Sequence, residues 1–302
     1  MTKIKILSGW SNPGGSTTSF INLCNLFNKN GLDCTFYGPH TFHLGQCKSD
    51  LLENCAVNEE GEVLIIHFLK IPERPEASKK VILACHEKEV YKVKDVKPFW
   101  DNIAYVSNSQ MFWQGVPGIV IPNAITTLSK SKVKFPVKRA GVIGSIDKNK
   151  NTHISIKRAL EDGFDEVYLY GMVTDQDYYK GVETIFSNDK SVSEYVLEGK
   201  AIIKGYEPNT QKVYDSLTDV YHSSLSETFN LIKAECELTE TNYHGLDSAE
   251  SGAEYWDNDK IIKAWKELII GLIMGIGIFT YLYFPWGMTF ISLIPLNWGI
   301  KI

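Results

Sequence analysis

Short apolar runs separated by polar turns organise the first part of the chain. Residues 4–7, 34–37, 63–68, 81–85, 103–106 and 118–121 are such runs. Continuous rather than alternating apolar positions suit strands buried on both faces, as in a parallel sheet. Between the first two runs, residues 18–28 carry Phe20, Ile21, Cys24, Leu26 and Phe27 at helical spacing. Strand–helix alternation of this kind predicts a doubly wound α/β domain over residues 1–123.

The pattern then breaks. Residues 124–138 are rich in Ser, Thr and Lys with little periodicity, and read as a linker. Alternation restarts with strand candidates at 140–146, 166–170, 201–204 and 220–223. Helical stretches at 151–160, 211–217, 229–238 and 257–267 complete a second α/β domain over 139–267. Two such domains on a linker create a cleft, which the carboxyl ends of their parallel strands face.

Composition narrows the class. The 302 residues are 44% hydrophobic and 22% charged, with net charge -5. That is too polar for a polytopic membrane protein and too apolar for a disordered chain. No basic stripe offsets the acidity, so broad nucleic-acid binding is not expected. The six cysteines, Cys24, Cys34, Cys47, Cys55, Cys85 and Cys236, show no CxxC pair or metal spacing and read as reduced thiols. The apolar run at the amino end is too short for a signal peptide, so a cytoplasmic body is expected. Residues 268–300 contain no charged side chain and form an apolar tail.

Three segments carry candidate chemistry. Gly9-Trp-Ser-Asn-Pro-Gly14-Gly15-Ser16-Thr17 lies between the first strand and the first helix. A Gly-rich turn and a helix N-terminus suit an anion, although such turns also form without a ligand. Gly15 stands where a P-loop would have lysine, which argues against a nucleoside-triphosphate hydrolase. The second segment is Gly144-Ser145-Ile-Asp-Lys148-Asn-Lys150-Asn151, after the second domain's first strand. A lysine there is placed to neutralise a diphosphate, or is simply a solvated surface group.

The third segment is Ser226-Glu227-Thr228-Phe229-Asn230-Leu231-Ile-Lys-Ala-Glu235, a strand-to-helix passage. On one helix its two carboxylates would stand about 12 Å apart along the axis and about 80° apart around it. That span fits a ligand with two hydroxyl clusters, such as a nucleotide sugar, since carboxylates accept from paired hydroxyls. A glutamate near a helix N-terminus is also favoured by the helix dipole alone.

Together these segments resemble the GT-B glycosyltransferases, of the retaining family 4 type. Val106-Ser-Asn-Ser109-Gln110, Ile121-Pro-Asn-Ala124, the Gly144–Lys150 turn, Tyr170-Gly171 and the E-x7-E element Glu227–Glu235 occur in the family's order, over about residues 1–267. The resemblance implies two Rossmann-like domains facing a cleft, the first on the acceptor side and the second binding the donor. It implies transfer of a hexose from a nucleoside diphosphate sugar, with retention, no metal and no further cofactor. Glu227 and His86 then look catalytic. Gly14, Gly15, Ser145, Lys150, Thr228, Phe229, Asn230, Leu231 and Glu235 look donor-binding, with Glu235 on the ribose and Lys150 on the diphosphate. His67 is a weaker candidate than His86. The expected partners are the donor and a glycan, lipid or protein acceptor.

The chain departs from the family in four places, the first being a first domain that is short for the family, which implies a reduced or open acceptor site. Ser145 stands where an arginine is usual, Asn230 where Gly or Cys is usual, and the segment after Glu235 lacks a Gly-x-Pro ending. Missing one cation keeps open a donor-binding protein of this fold without turnover. A GT-B epimerase or phosphorylase is a further alternative. The tail at 268–302 extends beyond the resemblance. Its run at 268–284 is near the lower limit for a bilayer-spanning helix, about 17–25 residues. Tyr281, Tyr283, Trp286 and Trp298 are residue types of membrane interfaces. Membrane contact through 268–298 is therefore expected, holding the body at a membrane; the alternatives are a re-entrant hairpin turned at Pro285, or packing on the body, as the last helix of the family often crosses back to the first domain.

Overall fold

A computed structural model describes residues 2–87, 92–132, 138–182, 189–249 and 253–270. The first domain comprises β1 (Lys3–Ser8), α1 (Gly15–Lys29), β2 (Asp33–Gly38), β3 (Ser49–Leu51), β4 (Val63–His67), β5 (Lys80–Cys85), β6 (Asn102–Tyr105), α2 (Asn108–Gln114) and β7 (Ile119–Val120). Its strands form one sheet in the order β3-β2-β1-β4-β5-β6-β7. Every pairing is parallel. All five residues of β4 are buried, the four apolar ones and the His67 that ends the strand.

The second domain comprises β8 (Ala140–Ile143), α3 (Thr152–Glu161), β9 (Val167–Tyr170), α4 (Gln176–Lys180), α5 (Val192–Leu197), β10 (Ala201–Gly205), α6 (Thr210–Tyr214), β11 (Asp219–His222), α7 (Leu231–Thr239) and β12 (Asn242–Gly245). Its five strands are ordered β10-β9-β8-β11-β12. They too pair in parallel. Strand order reverses between β1 and β4 in the first sheet and between β8 and β11 in the second. These reversals open a crevice at the carboxyl ends of the strands.

The chain then returns to the first domain. Helix α8 (Asn258–Ile270) buries Ile261, Ile262, Trp265, Leu268 and Ile269, a stripe at helical spacing. That stripe joins the core formed by Phe20, Cys24 and Phe27 of α1 with β1 and β2. The Trp265 and Phe27 rings meet edge to face at 5.9 Å, and Lys80 Nζ donates to the Leu268 carbonyl at 2.6 Å. Two sequence expectations change here. The segment 258–267, grouped with the second domain, packs on the first. Leu268 and Ile269, counted as the start of the tail, are core residues. The remaining tail, 271–302, lies outside the described residues. Among the described residues no helix is long and apolar enough to cross a membrane.

The domains are tied together at several points. The described part of the linker has neither helix nor strand but is anchored. The Asn22 side chain donates to Ala124 O at 3.3 Å and Thr126 Oγ1 at 3.1 Å. Asn258 brackets Ile125, accepting from its N–H at 3.3 Å and donating to its carbonyl at 3.0 Å. Val106 of the first domain and Phe229 and Ala234 of the second share a small core. Phe42 and Tyr206 stack edge-on across the domains at 5.0 Å.

Candidate functional site

Each crevice holds a histidine bonded to a carboxylate. In the second domain the loops after β8 and β11 are sewn together. The Leu225 N–H donates to Asn149 O at 2.8 Å, and Lys150 Nζ donates to Glu227 Oε1 at 2.5 Å. His222, the last residue of β11, places Nε2 3.1 Å from the same oxygen. Burial alone would push the Glu227 carboxyl up. The Lys150 charge and the His222 bond outweigh it and hold the group at about 2. Its side chain is 13% exposed, so it is an ionised group at the rim of the crevice.

The geometry of the E-x7-E element differs from its sequence reading. Helix α7 begins at Leu231, with Asn230 as its cap, so Glu227 lies in the preceding loop. The two glutamates therefore do not share one helix, and the 12 Å helical span does not apply. Glu235 sits inside α7 and is 6% exposed. Tyr214 donates its hydroxyl to Oε2 at 2.9 Å. Oε1 has no hydrogen-bond partner among the described residues. Burial pushes the Glu235 carboxyl up to about 7, with the Tyr214 bond pulling the other way.

Asn230 has a local task that explains the residue. Its carboxamide accepts from Lys233 N at 3.0 Å and donates to Tyr243 Oη at 2.6 Å and Ala249 O at 2.9 Å. The side chain is thus consumed by capping α7 and pinning β12. Phe229 is buried against Tyr255 at 5.4 Å and is a packing residue. Thr228 and Leu231 are half-buried beside them.

The Gly144–Lys150 turn depends on close backbone approach. Gly144 has φ 126°, and a Cβ on Gly171 would overlap the Gly144 carbonyl. The Lys150 stem lies over Gly144, which lets its amine reach Glu227. The Ser145 hydroxyl is bonded to the Asp147 carboxylate. Asp147 also accepts from Lys150 N at 2.8 Å and so shapes the turn. Ser145 therefore supplies no cation.

Across the cleft, Gly14 is the N-cap of α1 and has no side chain to cap it. The amide groups of the first turn are left open, the condition for anion binding. A Cβ on Gly15 would stand 3.7 Å from Leu231 Cδ1, so the amino ends of α1 and α7 lie against each other.

The first domain's crevice is wired through His67 rather than His86. Ser8 Oγ lies 2.8 Å from His67 Nδ1, and His67 Nε2 lies 2.8 Å from Glu87 Oε2. Burial would raise the Glu87 carboxyl. The His67 charge and bond, with His86 and the Ser16 hydroxyl, hold it at about 2. His86 packs under Phe20 at 4.4 Å, and its buried Nδ1 has no hydrogen-bond partner among the described residues. Burial, and then the His67 charge, pull its imidazole down to about 3, so it is neutral. His86 lines a cavity of about 20 Å³ with His67, Phe68 and Glu87, enough for about one water.

Glu87 and His222 were not singled out from sequence. Each has a weak signal, a polar residue at or within two positions of the carboxyl end of a buried strand. Among the described residues no cluster of three or more His, Cys, Asp or Glu could hold a metal ion.

No family model and no curated protein matches the sequence. Solved structures do match the fold. Anabaena HepE, solved with UDP and glucose, aligns with TM-score 0.60 and 12% identity over 90% of both chains. A TarM variant from S. aureus, solved with UDP, fondaparinux and α-GlcNAc-glycerol, gives 0.62 and 10% over 89% of this chain and 93% of its own. The pneumococcal O-GlcNAc transferase GtfA, solved with UDP and GlcNAc, gives 0.59 and 10% over 90% and 92%. The chain has the GT-B fold of these glycosyltransferases.

Proposed function

We propose that the chain is a glycosyltransferase that moves a hexose from a nucleoside diphosphate sugar to an acceptor. The observation that carries the reading is the meeting of the α1 and α7 amino ends, with Glu227, paired to Lys150, in the loop that leads into α7. Two helix N-termini and one ammonium suit a diphosphate, whose charge grows as it leaves. UDP in the solved structures of this fold agrees with it.

In this reading Lys150 moves from Glu227 to the diphosphate. Glu227, freed but ionised, accepts hydrogen bonds from hydroxyls of the transferred sugar, and His222 keeps it oriented. The open Oε1 of Glu235 receives a ribose hydroxyl, while Tyr214 holds the other oxygen. The bond from the anomeric carbon to phosphate breaks as the acceptor oxygen bonds the same face. The acceptor proton passes to the departing phosphate oxygen. That course retains configuration and assigns no step to a metal.

Incubation with UDP-, GDP- and ADP-sugars tests the proposal. The expected result is consumption of one donor, a retained product by NMR, and activity undiminished by EDTA. Binding without turnover would favour the second reading, a donor-binding protein, which the hydroxyl–carboxylate pair Ser145–Asp147 supports. Neither binding nor turnover with any donor would sink both.

A further inference from the structure

The carboxyl ends of β1, β2 and β4 carry an aromatic group that donor chemistry does not use. Trp10 follows β1 and is 43% exposed. Its ring stands edge-on to His40, after β2, at 6.0 Å and tilted to Phe68, after β4, at 6.2 Å. An indole this open on the cleft side of a domain offers an apolar face with walls on two sides.

The backbone beneath it is held in an unusual shape. Phe68 has φ 54°, a left-handed conformation that is an outlier for an aromatic residue. Gly9 donates its N–H to His67 O at 2.9 Å, and a Cβ on Gly9 would overlap the Phe68 carbonyl. Ser8 fixes Trp10 twice. Its hydroxyl is bonded to Trp10 O, and its Oγ accepts from Trp10 N at 3.1 Å. Strain maintained in this way is characteristic of ligand sites. The same Ser8 Oγ leads through His67 to the partly exposed Glu87 carboxylate. One chain of hydrogen bonds therefore joins the backbone that carries the indole to an ionised acceptor.

From this arrangement we infer that Trp10 and Glu87 form the acceptor subsite, and that the acceptor is a sugar. The indole covers the C–H face of the ring, and Glu87 accepts from one of its hydroxyls. A plain alkyl alcohol has a single hydroxyl, which attacks the donor and leaves none for Glu87, and a peptide serine would leave the indole face unmatched. The inference rests on the glycosyltransferase reading and adds to it the acceptor class and two acceptor-binding residues.

The experiment uses the full chain, the donor it consumes, and three acceptor sets. These are p-nitrophenyl glycosides of glucose, galactose and N-acetylglucosamine, Ser/Thr peptides, and octanol. Transfer to a glycoside is expected. Trp10→Ala should raise its KM at least about tenfold, with a smaller rise for Trp10→Phe, because the stacked face is lost. Glu87→Gln should raise the same KM. UDP affinity, read by calorimetry, should stay within about twofold in both Trp10 variants and shows that they fold, while the urea midpoint checks folding of Glu87→Gln, whose carboxylate bonds Ser16 in the first turn of α1. Transfer to peptide or octanol but to no glycoside would overturn the inference, as would an unchanged KM in Trp10→Ala. Either result leaves the donor reading standing. No nucleotide binding and no donor consumption would overturn both.

Discussion

Lys150 and Glu227 lie 77 residues apart in sequence and meet at 2.5 Å between the loops of two adjacent strands. Neither is fully exposed, so solvent screens the pair only partly. The pair clasps the loops after β8 and β11 together.

Glu227→Gln should change acid stability. Its carboxyl is held at about 2 against an ordinary 4.5. The stabilising contribution is present above about pH 4.5 and is lost as pH falls toward 2. The variant should lose that part of the acid dependence in urea titrations between pH 2 and 5. An identical dependence in both proteins would refute the clasp.

Glu235→Gln should act in the other direction. The folded chain keeps a proton to about pH 7 that the unfolded chain releases near 4.5. Stability from this group therefore falls as pH rises from about 4.5 to 7, and the glutamine should flatten that slope. Denaturation midpoints at pH 4.5, 6 and 7.5 read the difference. A parallel slope would show that Glu235 is not buried as described.

Trp265→Ala should destabilise the first domain by about 3–5 kcal/mol through the cavity it leaves against Phe27. Ending the chain after Ile270 should leave that stability nearly intact, because the apolar stripe of α8 is complete by Ile269. Urea titration of both proteins checks this. A larger loss from the truncation than from Trp265→Ala would contradict the packing of α8.

Gly9→Ala should lower stability by about 1–3 kcal/mol by forcing Phe68 aside. It should also disturb the tryptophan fluorescence of the adjacent Trp10. A variant as stable as the parent would mean that the β1 and β4 ends are not in contact.

The strands were readable because parallel strands buried on both faces are nearly all apolar, as β4 and β5 are. The short edge strands β3 and β12, Ser-Asp-Leu and Asn-Tyr-His-Gly, were not, because an edge needs little apolar surface. The stripe of α8 was legible, but not which domain it covers, since a helix pattern gives a face and no address. Lys150 and Glu227 were found individually from their loops. Their pairing was not visible, because it depends on β8 and β11 lying side by side. His86 and His67 stand at similar strand ends, and only the family resemblance favours His86. Only the structure shows His67 bonded on both ring nitrogens and His86 packed under Phe20.

The central claim is that Lys150 and the two helix ends hold a nucleoside diphosphate. Calorimetry with UDP, GDP and ADP tests it on the parent chain and on Lys150→Ala. The account predicts that one nucleotide binds the parent and that Lys150→Ala weakens it at least about tenfold, the scale of one charged hydrogen bond. Equal affinity in the two proteins, or no binding of any of the three, would contradict it.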